Sequence, residues 1–248
     1  MIDRARLETH LNQVMEPGRF KDYGPNGLQV EGKAQVARLV CGVTASLALI
    51  DAAIAAQADA ILVHHGLFWR GQDGRVTGWM KQRLARLIQH DISLFAYHLP
   101  LDAHPQLGNN AQLGARLGWV ADRRFGDQDL GFCAAVESTS LDAVGQQLRN
   151  VLGREVLTVP GDGRPLRRVA WCTGGAQGYF EAAIAAGADL FVTGEISEPQ
   201  AHYAAETGVA FIAAGHHATE RYGVQALGEC VAGELGLDYR FIDLPNPA

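Results

Sequence analysis

Asp51-Ala-Ala-Ile-Ala-Ala-Gln-Ala-Asp-Ala-Ile-Leu-Val63 runs directly into His64-His65-Gly66. The same pattern returns as Glu181-Ala-Ala-Ile-Ala-Ala-Gly-Ala-Asp-Leu-Phe-Val-Thr193, which runs into Gly194-Glu195. Each copy reads as an alanine-rich helix, an Ala-Asp turn and an apolar strand that ends in polar residues. Helices alternating with strands at this spacing predict parallel pairing with right-handed crossovers. Open α/β sheets bind their ligands at the carboxyl ends of strands, which is where both copies place their polar residues.

Working outward, the first copy sits in a lobe spanning residues 1–118. It opens with a helix over 3–16 that sets Leu7, Leu11 and Val14 on one face. A glycine-rich turn follows, from Tyr23 to Gly32. Then come strand 38–43, a helix from the N-cap Ser46 to Gln57, strand 60–64, helix 78–90, strand 92–97 and helix 109–118. Residues 119–167 break this alternation and read as an inserted α+β segment, with strands over 131–136 and 155–159 around a helix over 140–152. The second lobe, 168–248, takes in a strand over 167–173 and one over 189–193, helices over 177–186 and 198–207, then strand 209–213, helix 217–235 and strand 238–243. The expected fold is α/β: two related βα lobes from an internal duplication, with mostly parallel sheets and a small α+β insertion. The polar strand ends place the expected site in the cleft between the lobes.

Composition narrows the function classes. The 248 residues are 48% hydrophobic and 19% charged, the balance of an ordinary globular chain. A net charge of −6 without a lysine or arginine run argues against a duplex nucleic-acid partner, though not against a small nucleotide. No apolar run reaches the roughly 18 residues of a membrane helix, and Met1-Ile-Asp-Arg-Ala-Arg-Leu-Glu8 lacks a signal-peptide core. Cys41, Cys133, Cys172 and Cys230 are widely separated and read as reduced thiols, so the expected location is cytoplasmic.

Four segments carry chemistry. His64-His65 caps an apolar strand; consecutive strand residues point to opposite faces, so both can serve one site only where the strand turns, and Gly66 supplies that freedom. His98-Leu-Pro-Leu-Asp102 follows the next strand, with Pro100 expected to hold it out of helix; taken alone, Asp102 reads as a turn or cap residue. Gly215-His-His-Ala-Thr-Glu220 places His216 and Glu220 four apart on one helix face. Thr193-Gly-Glu195 is the counterpart of Val63-His-His65. Tyr97, Glu198 and His202 are weaker candidates. Three imidazoles with two carboxylates suit borderline divalent ions such as Zn, Fe, Mn, Co or Ni. The set exceeds one tetrahedral zinc, so two ions are the better match. There is no Gly-x-x-x-x-Gly-Lys-Ser/Thr loop and no Gly-x-Ser-x-Gly elbow, and Gly174-Gly-Ala-Gln-Gly178 is only a weak phosphate-cradling turn.

Asn26-Gly-Leu-Gln-Val30, Gly42-Val-Thr-Ala-Ser46, His64-His-Gly66, His98-Leu-Pro-Leu-Asp102, Gly108-Asn-Asn110, Thr193-Gly-Glu195 and Gly215-His-His-Ala-Thr-Glu220 together resemble the Nif-three-like family, whose bacterial members include the GTP cyclohydrolase 1 type 2 homologues. The likeness runs in order over the whole chain and is nearest to the short members without a large central insertion. It implies a dinuclear metal centre with His64, His65, Asp102, His216 and Glu220 as ligands. It also implies a ring-shaped homohexamer and a hydrolase acting on a nucleotide or a related heterocyclic or phosphorylated small molecule. Glu195 and His98, just outside the ligand set, would then move protons. The alternative is a metal-binding regulatory or interaction protein without turnover, and a third reading is a metal-stabilised scaffold.

Overall fold

The computed structural model describes residues 1–248, which divide into two compact units: 1–108 with 223–245, and 109–222 with 246–248. In the first unit, β1 (Ile2–Asp3) and α1 (Arg4–Met15) precede β2 (Gly27–Val30), β3 (Gln35–Val36) and β4 (Arg38–Thr44). Next come α2 (Leu47–Ala55), β5 (Ala60–His65), α3 (Gly78–Gln89), β6 (Ser93–Ala96) and α4 (Leu99–Ala103). The second unit holds α5 (Asn109–Leu117), β7 (Arg123–Phe125), β8 (Gly131–Thr139), α6 (Leu141–Leu152), β9 (Leu157–Val159) and β10 (Leu166–Trp171). It continues with α7 (Phe180–Ala185), β11 (Leu190–Thr193), α8 (Glu198–Thr207), β12 (Ala210–Ala213) and α9 (His216–Thr219). Helix α10 (Arg221–Leu235) and strand β13 (Asp238–Phe241) close the chain and, from Gly223, count with the first unit.

The first sheet is ordered β13-β4-β5-β6-β2 and is parallel except for the edge strand β2, which runs against β6. Its residues alternate between two cores, as a pleat of period two requires. Leu39, Cys41, Leu62 and Phe95 pack with Leu7 and Leu11 of α1 and with Val224, Leu227 and Val231 of α10. Val40, Ile61, Val63 and Leu94 pack with Leu49, Ile50 and Ala53 of α2 and with Leu87 of α3. The second sheet, β7-β8-β10-β11-β12-β9, has a parallel centre, β10-β11-β12, flanked by antiparallel strands. One face is built on Trp171, Val192 and Ile212 with Leu148 of α6. The other clusters Phe180, Phe191 and Phe211 with ring centroids 5.0–6.0 Å apart, one pair stacked and two edge-to-face.

Residues 119–167, expected as an insertion, supply β7, β8 and β9 to the second unit's own sheet, which is why that sheet is less parallel than the sequence pattern suggests. Pro100 does not keep its segment extended: it lies in the first turn of α4, where its missing N–H forfeits no helical bond. Gly27–Val30 is strand, not turn, because Leu28 pairs with Phe95. The helix expected over 217–235 is interrupted at Glu220 (φ −105°, ψ 6°), giving the short α9 and the longer α10.

The repeated Ala-Asp turn has one physical job in both units. Asp59 Oδ2 accepts from the backbone N–H groups of Ala37 (2.9 Å) and Arg38 (3.1 Å), and its own N–H donates to Arg38 O. Asp189 Oδ2 accepts from Arg167 N (2.9 Å) and Arg168 N (3.0 Å), and its N–H donates to Arg168 O. Each aspartate thus caps the amino end of the neighbouring strand. Burial opposes ionisation of Asp59, but the Ala37 amide, Lys33 and the Arg38 amide outweigh it and hold its carboxyl below the usual range. Replacing Asp59 or Asp189 by alanine is expected to cost about 2 kcal/mol in urea unfolding, the lower end for two charge-assisted bonds because both carboxylates are partly exposed. For Asp59, whose folded pKa lies below the unfolded value of about 3.9, the contribution is full above that pH and fades as pH falls through the folded value. An Asp59→Ala protein as stable as the parent at neutral pH would remove this role.

Candidate metal centre

In the first unit, β5 ends in His64-His65 and β6 leads to His98. His64 is fully buried, and its Nδ1 donates to Tyr97 O at 3.0 Å, which puts the lone pair on Nε2. That Nε2 lies 3.5 Å from Asp102 Oδ1, carried by α4. The Nδ1 of His65 is 3.1 Å from Thr44 Oγ1, its neighbour across the parallel pair. Although His64 and His65 are consecutive strand residues, their rings are 4.5 Å apart, and the His98 ring is 5.1 and 5.8 Å from them. The candidate ligand atoms of His64, His65 and His98 lie within 4.8 Å of one another. Gly66 acts by close approach and not by positive φ: a Cβ there would strike Gln29, whose Oε1 accepts from Leu67 N at 2.8 Å.

His98 has its own support. Its Nδ1 is 2.7 Å from Asp22 Oδ1, and its N–H donates to Asn26 Oδ1 at 2.7 Å. Asp22 Oδ2 accepts from Asn26 Nδ2 and Leu99 N. Burial works against the Asp22 carboxylate, yet the His98 bond and charge, with those two donors, bring its pKa down to about 2. The glycine-rich turn is therefore the foundation under His98. Asp22 escaped the sequence reading because its partner is far along the chain; Asn26, within a recognisable motif, was the available signal.

In the second unit, Glu195 at the end of β11 accepts from His216 Nδ1 at 2.6 Å, and His216 Nε2 lies 3.2 Å from Glu220 Oε2 across α9. Gln177 Nε2 donates to Glu195 Oε2 at 3.3 Å. Burial alone would depress His216, but Glu220 and Glu195 raise its pKa to about 9. Carboxylates that stabilise a proton there would equally stabilise a metal cation. Thr219 Oγ1 accepts from Gly174 N (3.0 Å) and bonds to His216 O (2.9 Å), pinning α9 to the loop after β10. Gly174 has φ +71°, and a Cβ there would run into Glu220 Oε1. The weak phosphate-turn motif is thus the clearance for a carboxylate.

Of the weaker candidates, Tyr97 contributes its carbonyl while its phenol donates to Asn12, and Glu198 pairs with His202 on the exposed face of α8. His104 Nδ1 accepts from Gln106 N and Leu107 N and serves a turn. Asn110, from the Gly-Asn-Asn motif, is a buried brace: its Oδ1 accepts from Thr173 N and its carbonyl from Trp171 Nε1.

Fold and donor set define an α/β protein with His, Asp and Glu groups that could hold a metal ion. The chain belongs to the Duf34/NIF3 family (NGG1p interacting factor 3), whose model matches residues 2–247. It is 54% identical to a GTP cyclohydrolase 1 type 2 homolog of Yersinia pestis, over 98% of this chain and 99% of that one. It is 51% identical to one from Neisseria meningitidis serogroup A, over the full length of both. Among solved structures, protein ybgI, of unknown function, matches with a TM-score of 0.96 at 44% identity, over 100% of each chain.

The contact at Gly174 is directly testable. Gly174→Ala meets both the positive φ and the Glu220 carboxylate, and should destabilise the protein by about 2–3 kcal/mol. Gly175→Ala, whose Cβ would meet its nearest neighbours at 3.4 Å, should cost well under half as much. Equal melting shifts for the two variants would refute the clearance argument.

Proposed function

We propose that this protein is a dinuclear-metal hydrolase of a nucleotide or a related heterocyclic or phosphorylated small molecule. In this reading His64, His65 and Asp102 from the first unit and His216 and Glu220 from the second together hold two divalent ions, of the Zn, Fe, Mn, Co or Ni type. The observation that carries it is the held imidazoles: Nδ1 of His64 and of His216 is tied to a backbone carbonyl or a carboxylate, the arrangement that orients a metal-binding histidine. The donor mixture fits borderline divalent ions. Ions bound there would supply Lewis acidity, lowering the pKa of a coordinated water from 15.7 toward about 7.

The remaining residues have roles set by their own contacts. Asp22, ionised at neutral pH, fixes His98 with Nδ1 as the bonded nitrogen and directs Nε2 as a proton acceptor and donor. Glu195 lies against His216 and orients it while holding a carboxylate oxygen close enough to accept a proton. The full-length relatives named GTP cyclohydrolase 1 type 2 homolog support a nucleotide among the substrates; for GTP the reaction would be hydrolytic opening of the imidazole ring with loss of formate. A homo-oligomeric, hexameric assembly belongs to the proposal on family resemblance. So does a cytoplasmic location, which the buried thiols of Cys41, Cys133 and Cys172 support. No helix is long and apolar enough to cross a membrane. The family description as an interacting factor favours one second reading, a metal-binding regulatory protein without turnover.

Metal content by mass spectrometry on tag-free protein tests the centre. About two ions per chain are expected, falling sharply in folded His65→Ala and in Glu220→Ala. Undiminished stoichiometry in Glu220→Ala would sink the shared ligand set, and a His65→Ala protein that unfolds would favour the scaffold reading. The proton roles separate from ligation in a second measurement: Glu195→Gln and His98→Gln should keep their metal and lose GTP hydrolysis by at least about 100-fold. A variant that loses metal instead is a ligand.

A further inference from the structure

Tyr23 and Phe68 are large aromatic side chains left 59% and 36% exposed, and Trp69 beside them is half-buried. Of these, Trp69 and Tyr23 lie against the candidate ligands of the first unit. The Trp69 ring stands edge-to-face with His98, centroids 5.0 Å apart at 89°, and lies 6.0 Å from the His65 ring. Tyr23 approaches His98 at 6.1 Å and 63°. The loops that bear these rings are laced to each other: Arg70 N donates to Tyr23 O at 2.6 Å and Arg70 Nη2 to Asp22 O at 2.8 Å. Leu67 N is held by Gln29 and Trp69 N by Gln72. Gly24 packs so closely on the Phe68 carbonyl that no side chain fits between them. The rings are therefore fixed in place without being covered.

We infer that Trp69 and Tyr23 form a stacking platform for a planar heteroaromatic ring, the base of the substrate, beside His65 and His98. Aromatic faces bind flat rings by stacking with little demand on hydrogen bonding, and each stack contributes enough to decide affinity. The carboxyl ends of β5 and β6 are where an open α/β sheet receives its ligand. A ring seated on Trp69 lies next to the His98 imidazole, which Asp22 holds in place. This inference rests on the heterocycle-directed reading of the site and names the residues that would select the ring.

The probe is guanosine, which carries the ring without phosphates, titrated into the full-length protein while tryptophan emission is followed. Of the four tryptophans, Trp119 and Trp171 are 7% and 1% exposed, so the emission that a bound ring can quench by contact is that of Trp69 and of Trp79, which is 57% exposed on α3. Guanosine should quench the parent and Trp79→Phe alike. Trp69→Phe should lose the quenching but bind guanosine within about threefold by calorimetry, and Trp69→Ala should bind about tenfold more weakly, both with unchanged metal content. Guanosine affinity unchanged in Trp69→Ala would overturn the inference, as would a change of assembly state in that variant, which would make the ring a subunit contact. A parent protein that binds guanosine through Trp69 but leaves GTP intact keeps the platform and removes the hydrolase reading. GTP hydrolysis with an unaltered KM in Trp69→Ala does the reverse.

Discussion

Strand register is the constraint on which both clusters depend, and an aspartate sets it in each unit. Asp59 binds the two amides at the start of β4 and thereby fixes β4 against β5, so that Leu39 faces Ala60 and, five residues on, Thr44 faces His65. A slip of one residue would send His65 to the opposite face and separate its Nδ1 from Thr44 Oγ1. Asp189 does the same between β10 and β11, where Val169 faces Leu190 and Trp171 faces Val192. The polar residues at the far ends are thus positioned by carboxylates at the near ends. Each hydrogen bond is modest, but an error in register would displace every side chain of the strand together.

On this shared frame the two copies have diverged in donor chemistry. In the first, β4 ends in Thr44, whose hydroxyl meets an imidazole; in the second, the corresponding position is Gly174 in the loop after β10, which makes room for a carboxylate. The strand-end residues differ to match, His65 in one and Glu195 in the other. Short helices follow the last of the three repeated parallel strands in each unit, α4 after β6 and α9 after β12, with Asp102 inside α4 and Glu220 directly after α9. Nitrogen donors dominate the first cluster. In the second, carboxylates enclose a histidine strongly enough to raise its pKa to about 9. A cation entering the second cluster would replace a proton already favoured there, whereas in the first a backbone carbonyl sets the tautomer of His64 and Asp22 pairs with His98.

How much of this was legible in the sequence follows from the range of the interactions. The duplication, the βα alternation and the strand-end histidines were readable because hydrophobic period and local order encode them. Ser46 as an N-cap was readable for the same reason, its Oγ accepting from Leu49 N three residues on. The break at Glu220 was not, since the Gly174 loop that its buried carboxylate faces is brought there only by the fold. Pro100 is ambiguous in sequence, since a proline disfavours helix at the residue before it yet is tolerated in a first helical turn. Asp22 was invisible for a stronger reason: a lone aspartate before a turn has many ordinary uses, and only the fold brings it against His98.

The segments with the least secondary structure have the most exacting contacts. The turn around Asp22–Asn26 and the loop after His65 form no regular element along most of their length, yet they supply the carboxylate under His98, the amide that receives its backbone N–H, and the aromatic rings around it. Regular strands can deliver a side chain to an edge but cannot surround it, because alternate residues leave on opposite faces. Enclosing an imidazole on several sides takes chain that changes direction within a few residues, and glycine at Gly24 and Gly66 lets two such loops press together. The sheet therefore sets where the histidines are, and the irregular loops set what they can do.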